Sequence, residues 1–409
     1  MSETLTLPPH QHEQPVQTAS KRLISLDALR GFDMFWIVGA DDLVHALYRA
    51  WPVAPVALLE KEMNHKDWAG VGFYDLIFPL FVFIVGVSIV FSVRRMIERK
   101  GMGGALRRIL LRSVILYIFG LLVYGGISKG LDQVRWMGVL QRIALCYFFA
   151  SIMFCVLRPR VLVGICVLLL TGYWALLTFV PIRDFNLQTA HLKTMGLTPD
   201  SPETRARFDA TTKMVRGRFD DGLNLTQQID FRYLPGYHWD GAYDPEGILS
   251  TLPAMGTCLL GVFAGLLLQN GGVPERKKVL FLAGAGVAGV ALGFLWSLQF
   301  PVIKKIWTSS FVLVAGGYSC LFLAAFYQMV EIWGWRKWCV PFVWIGMNPI
   351  TIYMLFHFVE FDKVAQTVVG GPIQKAAGVA GDLVVQAAVV AMMFALMRFL
   401  YNRKIFLRL

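Results

Sequence analysis

The chain has 409 residues, 56% of them hydrophobic and only 16% charged, with a mean hydropathy of +0.55. That is far more apolar than a soluble domain of this length needs, and it places the protein among polytopic membrane proteins. A net charge of +12 would suit a nucleic-acid binder in a soluble chain, but many Lys and Arg fall between apolar runs, where positive-inside anchoring puts them, so nucleic acid is set aside as a partner.

Residues 1–22 form a polar tail with Pro and Gln and without the apolar core and cleavage site of a signal peptide. The remainder, 23–409, reads as a single transmembrane domain. At about 20 apolar residues per crossing, runs fall near 29–48, 71–93, 109–127, 137–157, 161–181, 248–269, 279–298, 307–330, 339–360 and 382–402. The expected fold is an all-α polytopic integral membrane protein of about ten transmembrane helices. The short basic connections, from Lys21-Arg22 through RRMIERKGMGGALRR (94–108), RPR, ERKK and RK to the tail NRKIFLRL, then fall on one side, so both termini are expected to be cytoplasmic. A long non-cytoplasmic loop, 182–246, carries the acceptor sequon NLT at 224–226, a triplet that often occurs by chance.

GAGVAG at 284–289 matches a dinucleotide fingerprint in letters, yet it sits inside an apolar run with no preceding strand. With Gly293 it gives small-residue spacing, which predicts close helix packing. The six cysteines lie in or beside apolar runs without CxxC spacing or a His cluster, so they read as core hydrophobes, and no metal site is expected.

Ionisable residues inside spans cost about 2.5 to 3.5 kcal/mol each and are kept mostly where they face a cavity or a partner. Counted by crossings, Asp41, Asp42, His45, His65, Asp75, Gln141, Arg142, Asp244, Glu246, Lys304, Lys305, His357 and Glu360 gather at the non-cytoplasmic face. Asp75 and Arg142 lie about a turn inside their spans, so they are expected to pair with each other or to line a wet pocket. At the opposite face, Asp27 and Arg30 in SLDALRGFD are three apart and can pair locally. Equally, Arg30 and the basic stretch 94–112 can receive the phosphates of a soluble donor.

SLDALRGFDMFWIVG, NHKDWAGVGFYDLIFPLFVFIVGVSI, GVLQRIALCYF, YDPEGILSTLPAMGTCLLGVFAG, PVIKKIWTSSFVL and PFVWIGMNPITIYML follow in order across the chain. Together they resemble the heparan-alpha-glucosaminide N-acetyltransferase family and its bacterial relatives. The resemblance implies transfer of an acetyl group from cytoplasmic acetyl-CoA to the amino group of a terminal glucosamine on the far side of the bilayer. It also implies an acetyl-CoA-dependent enzyme of the bacterial inner membrane that uses no metal and forms a homodimer. The family's active histidine precedes the second span beside Trp-x-Gly, and His65 matches it. ADD at 40–42 departs from an amide-bearing sequence in the animal proteins, which bears on the acceptor contacts.

Acyl transfer to an amine needs a neutral nucleophile, a group to take its proton and donors for the oxyanion. His65 can serve as the base or can carry the acetyl group itself, and Asp75 can orient its imidazole if the Gly-containing segment between them folds back. Contacts to donor or acceptor are expected from Arg30, Asp41, Trp68, Gln141, Arg142, Asp244, Glu246, Lys304, Trp307, Asn348 and His357. Pro79 is expected to free a carbonyl and bend its helix, and Asn348 before Pro349 serves either as an amide donor or as a helix break. Two other readings stay open: a transporter or flippase of a polar solute, suggested by charges within spans, and an O-acyltransferase acting on an envelope glycan.

Overall fold

The computed structural model describes residues 23–128 and 130–407; the tail at 1–22, with Lys21-Arg22, lies outside them, as do the last two residues of the basic tail. The helices in chain order are α1 (Ile24–Phe35), α2 (Asp41–Ala50), α3 (Ala54–Met63), α4 (Phe73–Val123), α5 (Val139–Val156), α6 (Pro159–Phe179), α7 (Thr189–Thr194), α8 (Pro202–Ala210), α9 (Leu225–Tyr233), α10 (Thr251–Gln269), α11 (Glu275–Trp296), α12 (Ser309–Tyr327), α13 (Val340–Gly346), α14 (Pro349–Phe358), α15 (Phe361–Val369), α16 (Pro372–Ala376) and α17 (Gly381–Asn402).

Among the described residues seven helices are long and apolar enough to cross a bilayer, or eight if the bent pair α13–α14 is one span. The difference from ten lies at two backbone breaks. Two expected runs share the 51-residue α4, interrupted only at Gly101, whose φ of 69° leaves the helical region. The first run is divided between α1 and α2 by a π-helical segment, Trp36–Ala40, in which Gly39 has a φ of 133°. Pro79, by contrast, does not break α4: its φ/ψ stay helical, and it is buried. At Asn348 the α13–α14 pair bends by 75°, where the proline ring excludes a helical conformation for the residue before it.

Packing follows small residues. A Cβ on Gly86 would collide with the Cys258 carbonyl, and one on Gly261 with that of Phe83, so α4 and α10 touch backbone to backbone. Gly31 and Gly346 do the same for α1 and α13. Gly286, Gly289 and Gly293 of the GAGVAG region sit against Gly317, Val314 and neighbouring backbone of α12, the expected close packing. The largest buried cluster joins α4, α5, α10 and α12 through Val82, Ile89, Cys146, Leu259, Phe311 and Trp307.

The 182–246 segment is folded. Strands β1 (Ile182–Arg183) and β2 (Met214–Val215) pair antiparallel, and Leu187, Phe208, Phe231, Ala242 and Tyr243 form a separate small core. Asn224 of the sequon is fully buried and caps α9, its side chain accepting from Gln227 N at 3.0 Å and donating to Asp220 O at 2.9 Å. The amide is therefore consumed by the fold and is closed to glycosylation in the native state.

Candidate active site

Two segments distant in sequence meet at one end of the bundle. The loop before α4 lies along the loop before α12: Ala69 and Ile303 form an antiparallel bridge, and Gly70 N donates to Val302 O at 2.8 Å. This pairing carries His65 to Lys304, 239 residues away.

Asp75 occupies the first turn of α4, where the helix N-terminus favours a carboxylate. Its Oδ2 accepts from the backbone N–H groups of Gly72 (3.1 Å) and Lys66 (3.3 Å). Oδ1 is left for the His65 Nδ1 at 2.8 Å and the Lys304 ammonium at 3.4 Å. A carboxylate cannot donate, so Nδ1 carries the proton of this bond, and Nε2 is the ring nitrogen that Asp75 does not engage. Asp75 is 1% exposed and His65 54%, so the imidazole is held from a buried anchor with its reactive edge open. Lys304 Nζ lies 3.1 Å from Nδ1 and 3.5 Å from Nε2. Burial lowers the pKa of this lysine, and the charges of Asp75 and Glu246 restore part of it. Tyr74, a residue without a spacing signal in the sequence, lies against His65 with ring centroids 4.9 Å apart and planes tilted by 36°, and it donates its hydroxyl to Asp41 at 2.8 Å.

A second charge cluster adjoins the first. Asp244 grips Arg135 through Nε (2.8 Å) and Nη2 (2.7 Å), and Glu246 accepts from the same Nη2 at 2.7 Å. Burial pushes the Glu246 carboxyl up, against the opposing pull of Arg142, Arg135 and Lys304, so its field reaches the His65 cluster through Lys304. Arg142 is fully buried: Nη2 donates to Pro245 O at 3.0 Å and to the Ser250 hydroxyl, and its guanidinium lies 4.8 Å from the Trp307 ring. Nε and Nη1 have no partner. Trp307 is held by a bond from Nε1 to Thr257 at 3.1 Å and adopts a φ of 51°. The expected Asp75–Arg142 pair does not form; Asp75 pairs with His65 and Lys304, and Arg142 with the 245–250 turn.

Around the Gly101 break of α4, roughly 40 Å along the helix from Asp75, lies a basic cavity of about 520 Å³. Arg95, Arg99, Lys100, Arg108 and Arg112 line it with Asp27, Ser92, Met96, Tyr147 and Met347. The break at Gly101 turns the chain back, so cations from both halves of α4 face one space. Arg112 Nε and the Tyr147 hydroxyl are buried without a partner, the state of groups awaiting a polar ligand.

Residues 22–208 match the family described as heparan-alpha-glucosaminide N-acetyltransferase, catalytic. The chain is 29% identical to the human heparan-alpha-glucosaminide N-acetyltransferase over 329 residues, covering 71% of this chain and 48% of that protein. It is 29% identical to the mouse protein of the same name over 330 residues, 73% of this chain and 49% of that one. The chain is thus similar to heparan-alpha-glucosaminide N-acetyltransferases over most of its length. It spans about half the length of the curated relatives it matches. The matched stretch contains His65, Asp75, Arg135, Arg142 and the basic cavity, while Asp244, Glu246, Lys304 and Trp307 lie beyond residue 208.

The other expected residues have their own places. Trp68 donates to Phe219 O at 2.8 Å and ties the His65 loop to the folded segment. Gln141 donates to Arg135 O at 3.0 Å, beneath the second cluster. His357 bonds the Tyr353 carbonyl at 2.8 Å, with the two ring centroids 4.4 Å apart and the planes tilted by 40°; Tyr353 in turn bonds Tyr124, whose ring lies 4.4 Å from the Arg135 guanidinium. His45 pairs with Glu60, which also accepts from the side chain of Asn64 next to His65, and Glu360 pairs with Lys363. Asn348 lies at the cavity end, where its amide donates to Ile405 O (2.9 Å) and accepts from Leu407 N (3.1 Å), clasping the C-terminal segment. Arg30 pairs with Asp27 at 3.3 Å and also donates to Ser88 Oγ (2.7 Å) and Gly346 O (3.3 Å), binding α1, α4 and α13 together beside the cavity. Arg135 and Tyr74 were absent from the sequence reading: a lone Arg in a short connection and a Tyr in a helical first turn carry no spacing signal.

Proposed function

We propose that the protein is a transmembrane acetyltransferase that moves an acetyl group from acetyl-CoA, bound at the cytoplasmic face, to the amino group of a glucosamine-type sugar at the opposite face. The observation that carries this reading is the His65–Asp75 pair, in which a buried carboxylate fixes a proton on Nδ1 and leaves Nε2 on the exposed side of the ring, inside the stretch that matches an acetyltransferase catalytic region. Nε2 is the atom required either to take the proton of the attacking amine or to carry the acetyl group between substrates. In either route the amine nitrogen ends bonded to the acetyl carbon, the carbon–sulfur bond breaks, and the thiolate of CoA leaves.

The five cations around the Gly101 break of α4 support the donor assignment, because a CoA carries a pyrophosphate and a ribose phosphate that Arg and Lys recognise. From Phe73 to Lys100 the helix rises about 42 Å, the thickness of a bilayer with its headgroups. The start of α4 and its Gly101 break thus suit substrates on opposite faces, with the basic connections on the donor side. Purified protein in detergent is expected to consume acetyl-CoA when an amino sugar is added, and His65→Ala to lower kcat by about 10²- to 10⁴-fold without loss of folding. Unchanged turnover in that variant removes His65 from the mechanism.

The broken α13–α14 pair favours a second reading, transport of a polar solute, since discontinuous helices are common at transporter binding sites. Solute uptake into acetyl-CoA-free vesicles, with no acetylated product, would support transport over transfer.

A further inference from the structure

We propose that the indole of Trp239 is a stacking platform that binds the pyranose ring of the acceptor at the entrance to the His65 site. This deepens the acetyltransferase reading by giving the acceptor a docking surface, and it rests on that reading for the identity of the reaction. Trp239 is 57% exposed, yet it is pinned. Its backbone N–H donates to Asp244 Oδ2 at 3.1 Å. The Arg135 guanidinium lies 5.0 Å from its ring centroid, and the Tyr124 ring meets it edge-on at 6.2 Å and 64°. That guanidinium is itself locked by Asp244 and Glu246. The indole therefore has one face on a fixed cation and the remainder open to solvent.

Position follows from the next residue. Asp240 pairs with Lys305 at 2.9 Å, and Lys305 is adjacent to Lys304, which touches His65. The platform is thus fastened to the loop that carries part of the catalytic cluster.

A pyranose presents a flat face of C–H groups and a rim of hydroxyls. A rigid, half-open indole beside charged groups matches that pattern: the ring covers the apolar face, and the rim stays wet. A tryptophan that only anchors a protein in headgroups needs no such immobilisation. Linear amines lack the face, so the platform favours cyclic amino sugars over chain amines of similar basicity.

The test compares wild type, Trp239→Ala and Trp239→Phe in detergent, with glucosamine and a linear amino alcohol as acceptors, together with saturation-transfer NMR of glucosamine in the absence of acetyl-CoA. The platform predicts that Trp239→Ala lowers the preference in kcat/KM for glucosamine over the linear amine about tenfold, through KM for the sugar, which is the size expected for one aromatic contact of about 1.4 kcal/mol. It also predicts that the NMR contact to the sugar ring is lost and that Trp239→Phe restores most of both. An unchanged preference, or an equal loss with both acceptors, overturns the platform and leaves Trp239 as a lipid anchor or a packing residue. If wild type acetylates no amine, the acetyltransferase reading fails, and the NMR arm alone decides the platform: sugar contacts that vanish in Trp239→Ala uphold it, and contacts that persist or never appear refute it.

Discussion

At the scale of single residues, the site depends on a division of labour within one carboxylate. Oδ2 of Asp75 is spent on two backbone N–H groups, and Oδ1 serves His65 and Lys304. Lys304 shares Oδ1 with the imidazole, its ammonium 3.4 Å from that oxygen and 3.1 Å from Nδ1. Tyr74 lies beside the imidazole, Asp41 accepts the Tyr74 hydroxyl, and Glu246 adds its charge to the surroundings of Lys304. Replacing Lys304 with Met removes the ammonium that Oδ1 shares with the imidazole, so kcat/KM is expected to fall about tenfold or more with the protein still folded, measurable by rate assays on the purified variant. An unchanged kcat/KM would show that Lys304 does not act on the His65 site. His65, Asp75 and Lys304 were each legible in the sequence as misplaced polar residues, because charge inside an apolar run is itself a signal. Their partnership was not, because nothing in the spacing shows that two loops 239 residues apart pair backbone to backbone.

Elements set the reach of those residues. The 182–246 segment reads in sequence as a polar loop, since its strands are two residues long and its helices short. Its fold is nonetheless what delivers Asp244, Glu246 and Trp239 to the bundle. Asp230 on α9 joins the two parts: its Oδ1 accepts from Ile248 N at 2.9 Å, and Gly247 packs on the carboxyl so closely that a Cβ would overlap it. Burial pushes this carboxyl up to about 8. The folded state therefore holds a proton that the unfolded chain, with an ordinary carboxyl, gives up much earlier. Stability from this group is fully present below the unfolded value of about 4, falls as pH rises through the interval to about 8, and is flat above it. Asp230→Asn keeps the shape and removes the titration, so its Tm is expected to fall less than that of wild type between pH 5 and 9. Parallel Tm curves for the two proteins would place the proton elsewhere. The backbone breaks at Gly39 and Gly101 were equally hidden, because a glycine inside an apolar run reads as readily as a packing residue as it does as a break.

Across the whole molecule, the first half of α4 links two chemically different sites, the His65 cluster at its start and the basic cavity at its Gly101 break. Sequence reading assigned the basic stretch 94–112 to anchoring and to phosphate recognition; the turn at Gly101 gathers five of its cations around one cavity. Charge-reversal of Arg99 together with Arg108 is expected to raise KM for acetyl-CoA by about a hundredfold or more, with KM for the acceptor little changed, since each lost charge-assisted bond costs about 1.5 to 3 kcal/mol. Equal effects on both KM values would mean that the cavity does not bind the donor. The central claim is that donor and acceptor react from opposite faces through His65. It is tested most directly in sealed proteoliposomes of known orientation, with acetyl-CoA confined to the cavity face and glucosamine to the His65 face. The account predicts N-acetylated sugar on the His65 face with wild type and none with His65→Ala. Product that forms only when both substrates share a compartment, or that survives the substitution, would contradict it.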